Sequence, residues 1–152
     1  MTDSVTVSSG TGAGATSFAL VFPGQGSQAV GMLNAWGDHP AVWDTLQEAS
    51  AALGEDMARL IAEGPKEALD LTTNTQPVML TAGVACWRAW LAEGGERPVA
   101  LAGHSLGEFS ALVAAGAFSL ADALPLVRFR AQAMQEAVPV GQGAMAAILG
   151  LE

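Results

Sequence analysis

The pentapeptide Gly103-His104-Ser105-Leu106-Gly107 lies between the apolar run Val99–Ala102 and a helical pattern that reaches Ala115. This strand, tight turn and helix constrain the fold more than any other stretch of the chain. G-x-S-x-G in that context places a serine on a sharp turn, with glycines where a Cβ would obstruct neighbouring backbone. The serine backbone is held in strain and its hydroxyl projects outward. The following helix directs its positive end and free N–H groups toward the place where an oxyanion would form. Ser105 is thus the candidate nucleophile, and the Leu106 N–H a candidate oxyanion donor.

Two further strand signals flank this unit. Ser17–Phe22 is a short apolar run ended by Pro23-Gly24, and Ala144–Leu151 is strand-like. Helical sequence separates the strands. Pro40 starts a helix through Trp43, Leu46 and Ala49 that stops at Gly54, with a shorter helix around Met57–Ala62. Thr75-Gln76-Pro77 supplies an N-cap and an early proline for a buried helix ending near Gly94. Gly116 stops the helix after Ser105, and Ser119 caps the next one. On that last helix Leu120, Leu124, Val127, Ala131, Met134 and Val138 share one face, with Pro125 off it. The pattern predicts an α/β domain with a largely parallel sheet. Residues 1–16, rich in Ser, Thr, Gly and Ala, read as a flexible tail.

Composition narrows the function classes. Against 6 basic residues stand 15 acidic ones, and the net charge of −9 argues against nucleic acid or an anionic membrane surface as partner. The most apolar segment, Val78–Leu91, is interrupted by Thr81, Gly83 and Arg88 and is shorter than the roughly 20 residues that a bilayer requires. Cys86 is the single cysteine, so no internal disulfide forms, and its position beside Trp87 and Trp90 on an apolar helix points to packing. No basic-then-apolar leader pattern opens the chain, and the expected location is cytoplasmic. Nothing suggests a metal site.

A serine nucleophile needs a base, and the chain has 2 histidines, His39 and His104. His104 adjoins Ser105 on a turn where consecutive side chains diverge. His39, in Gly37-Asp38-His39-Pro40, reads as a solvated loop residue at a helix entry. The base is therefore expected to lie outside this chain. For an anionic substrate group the last helix offers Arg128 and Arg130, which at about 100° per residue fall on opposite sides of the apolar stripe. Periodicity does not choose between them. The stretch FPGQGSQA, residues 22–29, reads as G-x-G-x-x-A and raises a nucleotide-binding alternative. That alternative requires a second strand ending in an acid about 20 residues on, where the chain instead enters helical sequence at Pro40.

Taken together, LVFPGQGSQAVGM, NTQPVMLTAGVACWRAW, AGHSLGEFSALVAAGAFSLADAL and VRFRAQAMQEAVPVGQGAMAAILGLE resemble the malonyl-CoA:acyl carrier protein transacylases over nearly all of Phe18 to Glu152. GHSLG alone equally suits a thioesterase or lipase; the flanking motifs are more specific. Phe109 stands where the family often has tyrosine.

The resemblance implies an α/β-hydrolase-like parallel-sheet domain over residues 17–140 and the first strand of a ferredoxin-like subdomain over 141–152. It implies that Ser105 takes the malonyl group from malonyl-CoA as an ester and passes it to the phosphopantetheine thiol of acyl carrier protein. Gln25 and Leu106 match the two oxyanion-hole N–H positions, and Arg130 the arginine that grips the malonyl carboxylate. No permanently bound cofactor is implied, and the full-length form is expected to be a monomer. The relatives continue past Glu152 and carry their catalytic histidine there, so the chain reads as an N-terminal piece, expected to be weakly active or inactive alone. The alternatives are a serine hydrolase using the same turn and a non-catalytic binding fragment.

Overall fold

β1 (Ala19–Phe22) and β2 (Ala100–Gly103) pair in parallel, with Phe22 opposite Gly103. Their ends therefore stop side by side, and the turns that follow both strands emerge at the same edge. The computed structural model describes residues 17–138; the tail over 1–16 and the expected strand at Ala144–Leu151 lie outside them.

All regular structure between the two strands is helical: a short 3-10 turn, then α1 (Pro40–Leu53), α2 (Met57–Glu63), α3 (Lys66–Asp70) and α4 (Thr72–Ala92). After β2 come α5 (Gly107–Ala114) and α6 (Leu120–Ala137). No second strand ends in an acid before β2, so the dinucleotide-binding arrangement is absent from the described residues.

α4 is the central element. Val78, Leu80 and Ala85 are fully buried on it, and α1, α5 and α6 all pack against it. Each such Val or Leu contributes about 1.5–3 kcal/mol by leaving water. The helix begins at Thr72 rather than Thr75. The Thr75 hydroxyl does not cap; it is buried and donates to the carbonyls of Leu69 and Leu71, so Pro77 lies inside the helix.

Other helix limits follow the sequence signals. Pro40 occupies the first turn of α1 and Gly54 closes it at φ 66°, while Ser119 accepts from the Asp122 N–H at the start of α6. His39 departs from the expected solvated loop. Its Nδ1 accepts from the Ala41 N–H as the N-cap of α1, and its Nε2 meets Glu93 at the end of α4, leaving the side chain 13% exposed. On α6, Leu120, Leu124, Val127 and Ala131 are buried as expected, whereas Met134 and Val138 at the far end of the stripe are exposed. Trp87 is buried; Trp90 is half exposed, packing edge-on to Phe18 and donating to the Glu96 carbonyl. Burial raises the Cys86 thiol above its ordinary range, consistent with a packing role.

Candidate active site

Close backbone contact shapes the turn at Ser105. A Cβ on Gly103 would fall 1.9 Å from the Gly107 carbonyl carbon, and one on Gly107 would fall 2.2 Å from the Phe22 carbonyl oxygen. Both glycines of G-x-S-x-G are therefore required by the way β1, β2 and the start of α5 crowd together. The backbone of His104 is fixed from two sides: its N–H donates to the Phe22 carbonyl and its carbonyl accepts from the Gly107 N–H. Ser105, between these anchors, has φ 53° and is the one non-glycine residue with positive φ among those described. It is exposed, while Leu106 beside it is 1% exposed. The turn thus aims the hydroxyl outward and pins the next residue inward.

The FPGQGSQA turn packs onto the same place. A Cβ on Gly24 would lie 3.0 Å from both the carbonyl oxygen and Nδ1 of His104, which brings Gln25 beside the serine turn. The Gln25 side chain donates to the Thr72 hydroxyl at the start of α4. Among the described residues neither the Gln25 nor the Leu106 backbone N–H has a hydrogen-bond partner.

The two arginines of α6 part company as their 200° separation demands. Arg128 donates to Asn74 Oδ1 at 3.1 Å and to Glu55 at 2.5 Å. Arg130 donates through Nη1 to Gln76 Oε1 at 2.5 Å and through Nη2 to Ser105 Oγ at 3.0 Å, with Phe109 under its guanidinium. Of the two arginines, Arg130 is the one hydrogen-bonded to the Ser105 hydroxyl.

Charge separates them further. Arg59, Lys66, Arg88 and Arg128 each meet a carboxylate. Arg97 lies exposed over Trp87. Arg130 contacts no carboxylate among the described residues, in a chain of net charge −9. Its half-buried positive charge is held there by the neutral side chains of Gln76 and Ser105.

Neither histidine is hydrogen-bonded to the Ser105 hydroxyl. His39 is bound to Glu93, and at 1.5 Å per residue Glu93 lies about 25 Å along α4 from Gln76. The His104 ring lies against Gly24, on the neighbouring turn. A cavity of about 400 Å³ between β1 and α4, bordered by Leu20, Trp36, Cys86 and Trp87, includes none of Ser105, Gln25, Leu106 or Arg130. Gln76 is the residue that sequence reasoning passes over: in Thr75-Gln76-Pro77 it looks like part of a helix entry, yet it is 1% exposed and bonded to Arg130.

The strained serine turn and the arginine bonded to it fall within residues 19–150, which match the acyl transferase domain family. The chain belongs to that family. It is 57% identical over 138 residues to the malonyl CoA-acyl carrier protein transacylase of Escherichia coli (strain K12), covering 90% of this chain and 45% of that protein. An acyl-carrier-protein S-malonyltransferase from Burkholderia pseudomallei 1710b superposes with a TM-score of 0.80 at 68% identity, covering 83% of this chain and 41% of the other. A type II PKS acyl-carrier protein in complex with its malonyl-transacylase matches with a TM-score of 0.78 at 51% identity, covering 82% and 40%. The chain therefore spans somewhat under half the length of these acyl transferase relatives. Their fold agrees with the small parallel sheet and surrounding helices described above.

Proposed function

We propose that this chain carries the acyl-accepting serine and the carboxylate-binding arginine of a malonyl-CoA:acyl carrier protein transacylase. The observation that carries this reading is Arg130: a guanidinium without a carboxylate partner among the described residues, 3.0 Å from the Ser105 hydroxyl. In the reaction, Ser105 Oγ attacks the malonyl thioester carbonyl, the C–S bond breaks, and coenzyme A leaves as a thiol. The phosphopantetheine thiol of acyl carrier protein then attacks the serine ester and restores the hydroxyl. The Gln25 and Leu106 N–H groups hold the tetrahedral oxyanion in both steps, and Arg130 grips the distal carboxylate through parallel hydrogen bonds. The serine proton passes to a group other than His39 and His104.

In this reading β1, β2 and α5 are the nucleophile-bearing part of an α/β-hydrolase-like sheet, in a cytoplasmic enzyme. The names of the relatives and the site geometry support it together.

The complete gene product incubated with malonyl-CoA, with and without phosphopantetheinylated acyl carrier protein, tests the reading by mass spectrometry of both proteins. Malonyl ester on Ser105 and its passage to the carrier are expected. Release of free malonate at the same rate with and without carrier would instead mark a hydrolase. Arg130→Ala is expected to lower kcat/KM for malonyl-CoA by roughly a hundredfold, the scale of a lost charge-assisted pair. Arg128→Ala, which loses the Glu55 and Asn74 bonds, is expected to lower unfolding stability by about 1 kcal/mol and leave malonyl preference unchanged.

A further inference from the structure

Two matched clasps bracket the packing of α4 on α6. Asn74 and Gln76, two residues apart on α4, present amide oxygens to Arg128 and Arg130, two residues apart on α6. They differ in what the second Nη finds: the Glu55 carboxylate for Arg128, the Ser105 hydroxyl for Arg130. Among the described residues, Arg128 is neutralised and Arg130 is held in place without being neutralised.

We propose that Gln76 is the positioning residue that aims Arg130 while preserving its charge for a substrate carboxylate, and so sets the preference for diacid over monoacid acyl groups. This rests on the reading of Arg130 as the carboxylate-binding residue.

Stability alone does not explain a glutamine here. Gln76 is 1% exposed, and burying an amide is costly unless its hydrogen bonds are made. Its Nε2 faces only the Met134 thioether, at 3.3 Å, a weak acceptor. An apolar side chain would avoid that cost. Among the described residues, the one strong side-chain bond of Gln76 is to Arg130 Nη1, and it fixes the amide orientation, since the flipped amide would set NH2 against a cation. A carboxylate at this position would hold the guanidinium more tightly but would cancel its charge and compete for its donors. A neutral oxygen does the first task without the second.

Acylation of Ser105 by malonyl-CoA and by acetyl-CoA, measured on the complete gene product, separates the possibilities. The variants are Gln76→Glu, Gln76→Leu and Arg130→Ala, each checked for folding by thermal unfolding. Gln76→Glu is nearly isosteric and carries the test if Gln76→Leu does not fold. Gln76→Glu is expected to lower kcat/KM for malonyl-CoA roughly ten- to hundredfold, mainly through KM, with acetyl-CoA changed by less than about twofold. Gln76→Leu is expected to lower the malonyl preference less, because the charge remains but wanders. Equal loss with both substrates would reduce Gln76 to a packing residue and overturn the proposal, as would an unchanged malonyl preference in Gln76→Glu. If Arg130→Ala itself keeps the malonyl preference, the reading of Arg130 fails first. If Arg130→Ala loses the preference and both Gln76 variants keep it, only the role of Gln76 fails.

Discussion

Gly103→Ala and Gly107→Ala are expected to lose at least about 3 kcal/mol of unfolding stability each, a large share of the total for a domain of this size. The reason is that the atoms in the way are backbone. A Cβ on Gly103 meets the Gly107 carbonyl carbon at 1.9 Å and the Glu108 nitrogen at 2.3 Å; one on Gly107 meets the Phe22 oxygen at 2.2 Å and the Pro23 oxygen at 2.9 Å. No rotamer relieves such contacts, so β2 must withdraw from α5, or α5 from β1. Gly116→Ala is the contrasting case. Gly116 has φ 79° and nothing within 4 Å of its would-be Cβ, so its substitution costs only the left-handed strain, about 1 kcal/mol. Denaturant midpoints of the three variants check the ordering. If Gly103→Ala and Gly107→Ala unfold like Gly116→Ala, the close approach of these three elements is not what the motif glycines serve.

That contrast also shows what the sequence made legible. The serine turn could be read because its chemistry is local: the flanking strand and helix have their own patterns, and glycine spacing reports a steric need within five residues. α1 was legible for the same reason, through Pro40 and Gly54. The different surroundings of Arg128 and Arg130 were not, since both flank the apolar stripe equally and their partners Gln76, Ser105 and Glu55 come from other elements. The family resemblance favoured Arg130; periodicity did not. Gln76 was hidden because a polar residue beside a proline looks like a helix entry. Its burial depends on α4 starting at Thr72, which the buried Thr75 hydroxyl permits by bonding to Leu69 and Leu71. His39 was misread in a similar way, because its partner Glu93 lies far along the chain.

In the complete gene product, Ser105→Gly and Ser105→Ala are both expected to lose malonyl transfer by on the order of a thousandfold or more, since each removes the proposed acyl acceptor. Their stabilities should diverge. Ser105 is held at φ 53°, where a side chain with a Cβ carries left-handed strain that glycine does not. Both variants lose the hydroxyl that accepts from Arg130, but alanine alone keeps that strain. Ser105→Gly should therefore be the more stable of the two by about 1 kcal/mol in denaturant unfolding, even after the greater freedom of glycine in the unfolded chain is counted. Equal stabilities would mean that the turn is relaxed at this position. The strain is tied to function because His104 is fixed to β1 and α5 by backbone bonds, and Leu106 is pinned in the core. Between these anchors, the left-handed conformation is the one that turns the Ser105 hydroxyl out of the packed interior toward Arg130.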